Sequence, residues 1–148
     1  RATAELSALA EGWAAAGRGL CAPRRLRFSL DCPASRPCTL FRSELDRAVL
    51  NLLDNAARFT PPGGAVRLSA YVEEAVLTVA VEDSGPGFSP EALARAGRGF
   101  YTGDASRPRE GHMGMGLTFA RQTARRHGGT LELSNPGRGA RAALTLPL

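Results

Sequence analysis

The sequence contains no lysine, so all 19 of its basic residues are arginines. These arginines do not cluster with interleaved aromatic residues, and direct nucleic-acid binding is not expected despite the formal net charge of +5. The three cysteines are odd in number and form no Cys-x-x-Cys pair, which favours a reduced, intracellular chain. No apolar run reaches the roughly 18 residues of a membrane span, and no signal peptide is recognisable. We expect a cytoplasmic domain, and any membrane anchor of a parent protein would lie in another segment.

The clearest element that is present is a predicted amphipathic helix over residues 43–60. Its apolar residues recur at spacings of three and four (Leu45, Val49, Leu52, Ala56, Phe59). Ser43 is a candidate cap at its start, and the Pro-Pro-Gly-Gly run after Thr60 predicts its end. The length of 148 residues suits a single domain with a real core.

The same helix carries a polar stripe. Asn51, Asn55 and Arg58 fall at i, i+4 and i+7, which places them nearly in line along the helix. Two amides and a guanidinium in this arrangement can hold a hydrated cation and polyphosphate oxygens. For an isolated asparagine pair, a solvated polar edge is the more ordinary interpretation.

The remaining chain predicts short strands and three further helical segments. Residues 2–18 read as a helix or a linker leading into one, and residues 32–40, with two prolines, as mostly loop. Strands are predicted over residues 26–30, 65–72, 75–81, 130–134 and 140–146, the last four forming two hairpins. A short helix is predicted over residues 91–96, after a Ser89-Pro90 cap. A longer helix is predicted from the glycine-rich stretch at 111–116 to about His127.

Two glycine-rich stretches indicate a candidate nucleotide-binding site. Asp83 ends a predicted strand, where its carboxylate could accept the exocyclic amine of adenine, and Gly85 and Gly87 let a flat ligand approach the backbone. Residues 111–116 lead into a helix, whose free N–H groups and dipole favour phosphate. Either stretch alone is a weak signal, since turns and hinges contain similar glycines. The polar, glycine-rich segment 97–110 is predicted to be a mobile lid, with Arg107 or Arg109 as candidate phosphate contacts.

In this order, the motifs resemble the ATP-binding catalytic domain of sensor histidine kinases. That family is a branch of the superfamily that also contains gyrase, a large heat-shock chaperone, mismatch-repair ATPases and anti-sigma kinases. Residues 51–60 match the family's N box, and Asp83, Gly85 and Gly87 match its first glycine box. The phenylalanine box is matched by Phe100 and Tyr101, and the second glycine box by Gly111, Gly114 and Gly116.

The resemblance covers roughly residues 26–148 and implies an α+β fold. The expected architecture is a two-layer α/β sandwich, in which a mixed, mostly antiparallel sheet of about five strands packs on about three helices and carries a flexible ATP lid. Residues 26–148 would then be the catalytic domain, and residues 1–25 a helix or linker from an acceptor domain that the chain lacks.

The resemblance also implies site roles. Asn55 would hold Mg²⁺ with support from Asn51, Arg58 would contact phosphate, and Asp83 would bind adenine. The implied catalytic residues are Asn51, Asn55 and Arg58. The implied ATP-binding residues are Asn55, Arg58, Phe59, Asp83, Gly85, Gly87, Phe100, Tyr101, Gly111, Gly114, Met115, Gly116 and Leu117.

The residue at position 51 favours a kinase over a hydrolase. The ATPases of this superfamily carry a glutamate four residues before the metal-binding asparagine, where it activates water. An amide such as that of Asn51 cannot accept a proton at neutral pH, so it cannot serve as this base. A histidine acceptor needs no base from this domain, because neutral imidazole is already a nucleophile.

No acceptor histidine is evident in the chain. His127 is interpreted as a partner of a helix C-terminal dipole, and His112 as a lid residue. The expected partners are therefore a dimerisation and phosphotransfer helix domain of the same protein and a downstream response regulator, in a homodimeric parent. A non-catalytic ATP-sensing domain and an anti-sigma-type protein-serine kinase remain as alternatives.

Overall fold

The computed structural model of the chain describes residues 1–95 and 113–148. Its helices are α1 (Leu6–Cys21), α2 (Arg42–Phe59), α3 (Pro90–Arg95) and α4 (Met113–Arg126), and a 3-10 turn, Ala22–Arg24, follows α1. Its strands are β1 (Ala2–Glu5), β2 (Arg27–Asp31), β3 (Pro37–Leu40), β4 (Ala65–Glu73), β5 (Val76–Asp83), β6 (Thr130–Ser134) and β7 (Ala140–Pro147). No helix within these ranges is both long and apolar enough to span a membrane.

A five-stranded sheet in the order β2-β4-β5-β7-β6 forms one layer. Every neighbouring pair in it is antiparallel except β2 and β4, which run parallel. Helices pack on this sheet, with α2 contacting α1, α4 and strands β4 and β5. The predicted α+β class and the mixed, mostly antiparallel sheet are confirmed, whereas the predicted lid over residues 97–110 lies outside the described residues.

Both predicted hairpins form. Strands β4 and β5 pair from Val66 opposite Asp83 to Glu73 opposite Val76. The two residues that join them, Glu74 and Ala75, both have positive φ, as the tightest hairpin turns require. The final hairpin joins β6 and β7 through the Asn135–Gly139 connection, hereafter the β6–β7 turn. Consequently β5 and β7 lie side by side, and the end of β5 faces the start of β7.

Helix α2 lies at the centre of the core, as its apolar face predicts. Leu45, Val49, Leu52 and Ala56 are buried, and Phe59 is half-buried at its end. The predicted cap is wrong: the helix begins at Arg42, the N-cap position is Phe41, and no side chain caps it. Tertiary contact replaces the cap, because the Phe41 N–H donates to Nε2 of His127 at 3.0 Å.

His127 therefore does more than face a helix dipole. It is buried, and its Nδ1 lies 2.8 Å from the carbonyl oxygen of Thr123, one turn earlier in α4. Since Nε2 accepts from the Phe41 N–H, Nδ1 is the ring nitrogen that donates to the Thr123 carbonyl. The residue thus links the end of α4 to the start of α2, and its contact with a carbonyl of the last turn of α4 fits the interpretation as a partner of the helix C-terminus.

The first 40 residues are more ordered than their sequence predicts. Strands β1 and β3 pair antiparallel in a separate two-stranded sheet, so residues 37–40, predicted as loop, are a strand. Helix α1 contributes Leu6, Leu9 and Trp13 to the main core, and the Trp13 indole N–H donates to Asp46 of α2 at 2.8 Å. The core of the domain therefore extends into residues 1–25, while the origin of that segment as a linker from an acceptor domain stays a prediction.

The cysteines are thiols within this packing. Cys21 and Cys38 are buried, and Cys32 is half-buried. Burial is the main cause that raises the pKa of all three thiols. Raised values keep the sulfurs protonated and unreactive at neutral pH, which agrees with a packing role.

Candidate nucleotide-binding site

Helix α2, which packs against α4, carries Asn51 and Asn55 one turn apart. Asn55 is buried at 7% exposure, and its Oδ1 has no hydrogen-bond partner among the described residues. An unsatisfied buried acceptor costs about 1–3 kcal/mol, so it needs an explanation such as an unseen ion. An amide oxygen is a hard ligand of the kind that Mg²⁺ prefers. The donor set at Asn55 therefore fits a magnesium ion that reaches the protein together with phosphate oxygens.

Asn51 lies one turn earlier and faces the start of α4. A Cβ atom added at Gly116 would lie 3.6 Å from Cβ of Asn51, which is ordinary van der Waals contact. Leu117, the next residue, is buried. The structure thus brings the N-box helix and the second glycine box together, as the family resemblance implies.

The glycines of that second box are positioned differently from the predicted loop. Helix α4 begins at Met113, so Gly114, Met115 and Gly116 belong to its first turn. Glycine is a poor helix former, and its presence in a first turn leaves backbone N–H groups uncovered by side chains. Phe100, Tyr101, Gly111, His112, Arg107 and Arg109 lie outside the described residues.

Arg58 occupies the last turn of α2. Its Nε donates to Oδ2 of Asp54 at 3.1 Å, one turn earlier on the helix. The Arg58 side chain is 31% exposed and that of Asp54 is 41% exposed, so the ion pair adds little stability. Its consequence is geometric, because Asp54 restrains the guanidinium near the end of the helix that carries Asn51 and Asn55.

Asp83 ends β5 with its carboxylate held by backbone groups. Its Oδ1 accepts from the N–H of Gly85 at 2.9 Å and from that of Ala140 at 3.4 Å. Gly85 also passes close to α2, since a Cβ atom there would lie 2.7 Å from the carbonyl oxygen of Phe59. The structure therefore places Asp83, Gly85 and Phe59 together where α2 and β5 both end.

A residue that the sequence did not single out holds the next part of this loop. Asn135 accepts from the Phe88 N–H through Oδ1 and donates to the Phe88 carbonyl through Nδ2, both at 2.9 Å. Gly87 has a φ of +84°, and a Cβ atom there would lie 3.1 Å from Cγ of Asn135. The Asn-Pro-Gly sequence indicated a turn, but no local signal pointed to this distant contact.

Cavity size does not locate the site. One surface cavity of about 600 Å³ lies at the start of α2, beside Phe41, Glu44 and Arg126. None of the predicted site residues lines it. Another of about 500 Å³ reaches only Asp83 among the predicted residues, so the donor and acceptor chemistry of α2, β5 and α4 is the better guide.

Sequence comparison identifies the family to which these features belong. The family described as histidine kinase-, DNA gyrase B- and HSP90-like ATPases matches residues 42–148, and the chain belongs to it. Among curated proteins, the chain is 43% identical over 105 residues to the sensor histidine kinase SpaK of Bacillus subtilis, covering 70% of the chain and 23% of the relative. It is 36% identical over 132 residues to the histidine protein kinase DivJ of Caulobacter vibrioides, covering 88% of the chain and 20% of the relative.

Solved structures agree with this assignment. The mycobacterial sensor histidine kinase MprB is similar with a TM-score of 0.81 at 26% identity, covering 99% of this chain and 97% of that one. The catalytic domain of histidine kinase ThkA has the same TM-score at 19% identity, covering 99% of this chain and 96% of that one, which supports the fold. The resemblance to histidine kinase ATP-binding domains is therefore confirmed, for a chain that spans a quarter or less of the two curated relatives described.

Proposed function

We propose that this domain binds Mg²⁺-ATP between α2, α4 and the end of β5, and donates the γ-phosphoryl group to a histidine on a separate helical domain of its parent protein. The observation that carries the proposal is the buried Oδ1 of Asn55, which has no hydrogen-bond partner in the part of the chain that the structure describes. The relatives named as sensor histidine kinases support the kinase reading.

The base and the phosphates would contact different elements. The carboxylate of Asp83 would accept the exocyclic amine of adenine, and its Oδ1 is already oriented by the N–H of Gly85. Gly85 and Gly87 have no side chains, which would let the flat base approach the backbone. Arg58 and the first-turn N–H groups of α4, at Gly114, Met115 and Gly116, would face the phosphates. Phe59, Leu117 and, outside the described residues, Phe100, Tyr101 and Gly111 complete the proposed set.

The chemistry asked of the protein is positioning and charge neutralisation. A magnesium ion held by Asn55, with Asn51 in support, would neutralise phosphate charge in the transition state. Asn51 cannot take a proton from water, and the carboxylate of Asp54 on the same helix is engaged by Arg58. These residues suit transfer to an imidazole nucleophile better than hydrolysis.

The acceptor belongs to another domain. His127 is buried, and both of its ring nitrogens are hydrogen-bonded within the fold, so it is not available to ATP. His112 lies outside the described residues. The partners of this proposal are the phosphotransfer helix domain of the same parent, which we take to be a homodimer, and a response regulator that receives the phosphoryl group from it. The parent would place this domain in the cytoplasm.

Transfer to a supplied acceptor tests the proposal directly. The domain is incubated with γ-labelled ATP, Mg²⁺ and the acceptor domain of its parent, and acid-labile phosphohistidine is measured. Asn55→Ala should abolish labelling, with a smaller loss of ATP binding because the adenine contacts remain. Ser43→Ala, at an exposed position of the same helix, is the control and should label normally. ATP binding without any labelling by the unchanged domain would instead indicate a non-catalytic ATP sensor.

A further inference from the structure

We infer that Asn135 is a positioning residue for adenine recognition, which rests on the proposed function. Its amide fixes the Gly85–Phe88 loop, and thereby the carboxylate of Asp83, in the form that accepts the base. The residue itself lies on the β6–β7 turn.

The first step of the inference is the two-point contact with Phe88. The Asn135 amide pairs with both the N–H and the carbonyl of Phe88, as a neighbouring strand would. The Phe88 side chain is buried in the core at 4% exposure. The loop is therefore anchored on one side by its own aromatic ring and on the other by Asn135. Without the amide, the backbone between Gly85 and Phe88 would lose the two hydrogen bonds that hold it to the β6–β7 turn.

The second step is the fit between Asn135 and Gly87. A Cβ atom at Gly87 would approach Cγ, Oδ1 and Nδ2 of Asn135 to 3.1–3.2 Å, tighter than ordinary contact. The φ of +84° at Gly87 is also a conformation that residues with a side chain rarely adopt. Gly87 thus allows the loop to lie against the Asn135 amide, a role separate from leaving room for a flat ligand.

The third step links the same turn to Asp83. Ala140, the first residue of β7, donates its N–H to Oδ1 of Asp83, and Gly139 before it passes so close to the Asp83 backbone that no side chain fits. Gly85 donates to the same oxygen. The β6–β7 turn and the residue after it therefore hold both ends of the Asp83–Phe88 segment. A shift of the loop would move the Gly85 N–H and so release the carboxylate.

The test measures recognition of the exocyclic amine rather than affinity alone. Binding of ATP is compared with binding of purine riboside triphosphate, which lacks the 6-amino group. The wild type should prefer ATP by about tenfold or more, since one charge-assisted hydrogen bond is lost in the analogue. In Asn135→Ala, ATP affinity should fall about three- to tenfold and the preference should shrink towards one, as expected for a lost hydrogen-bonding partner.

Asn135→Asp is the second variant because it keeps the shape of the side chain. Its carboxylate still accepts from the Phe88 N–H but presents an oxygen to the Phe88 carbonyl, so the preference for ATP should shrink here too. Ser134→Ala and Ser134→Asp are the matched controls, the second for added charge. Ser134 is exposed at the end of β6, immediately before Asn135, and does not line the cavity that reaches Asp83, so both controls should behave as the wild type.

The outcomes separate this inference from the function on which it rests. Equal losses of affinity for both nucleotides, or an unchanged preference in the two Asn135 variants, would overturn the positioning role alone. Loss of the folded state in both variants would make Asn135 a folding residue and overturn it as well. A wild type that binds neither nucleotide, or does not distinguish them, would overturn the proposed adenine site and this inference with it.

Discussion

The imidazole of His127 accepts a hydrogen bond from the backbone N–H of Phe41 at 3.0 Å, across 86 residues of sequence. The rings of the two residues also meet edge to face, with centroids 5.2 Å apart. The contact joins the end of α4 to the start of α2, the two helices between which we place the phosphates. The arrangement of the site thus depends on a residue that lies outside it.

The first prediction concerns the stability of this junction. His127→Ala should lower the free energy of unfolding by about 2–4 kcal/mol, because it leaves the Phe41 N–H without its acceptor and opens a cavity at a buried position. Chemical denaturation followed by circular dichroism measures the change. Arg125→Ala, two residues earlier and exposed, should change it by less than about 0.5 kcal/mol. Equal effects of the two substitutions would contradict the junction.

The second prediction concerns the base. Asp83→Asn should weaken ATP binding by roughly 10- to 150-fold, since the exocyclic amine loses a charged acceptor. Isothermal titration calorimetry measures the affinity. Asp31→Asn is the control, because it removes a similar charge from the end of β2, where the carboxylate pairs with Arg67 at 2.7 Å. Unchanged affinity in Asp83→Asn would refute the adenine assignment.

The third prediction concerns the choice between transfer and hydrolysis. Asn51→Glu places a potential base one turn before Asn55, so phosphate release from ATP should rise while histidine labelling falls. Asn51→Gln, which adds length without basicity, should not raise hydrolysis. Phosphate release and phosphohistidine are measured in the same reaction. If the unchanged domain releases phosphate at about 1 s⁻¹ or faster, as an efficient ATPase would, and never labels a histidine, the kinase proposal is wrong.

The parts of the fold that the sequence predicts are those with strong local signals. The 3.6-residue period of α2 arises from burying one face of the helix, and the short apolar runs of β4, β5 and β7 indicate buried strands, so each element could be predicted from its own residues. The two glycine boxes could likewise be recognised from their own residues, without knowledge of distant contacts. The predicted N-terminus of α2 failed because the helix begins at Arg42, where the contact of Phe41 with His127, far away in sequence, holds its start.

Elements that depend on distant partners were missed. Strand β3 exists because β1 pairs with it, with Glu5 opposite Pro37. Its buried and exposed residues alternate, but a run of four residues that begins at a proline is too short to indicate a strand. Asn135 was visible only as a turn residue, since its hydrogen bonds reach Phe88, 47 residues away. The unsatisfied Oδ1 of Asn55 also could not be predicted from sequence, because burial of a polar atom depends on the packing of several elements.

The packing of α1 has a consequence for how the domain can be divided. The family match begins at residue 42, yet α1 supplies Leu6, Leu9 and Trp13 to the same core as the matched residues. A fragment trimmed to the family boundary would expose the apolar surface that α1 covers and would lose the indole bond to Asp46. The unit that shares one core is therefore longer than the matched residues 42–148, and domain grafts or chimeric kinases made from this chain should be joined ahead of α1.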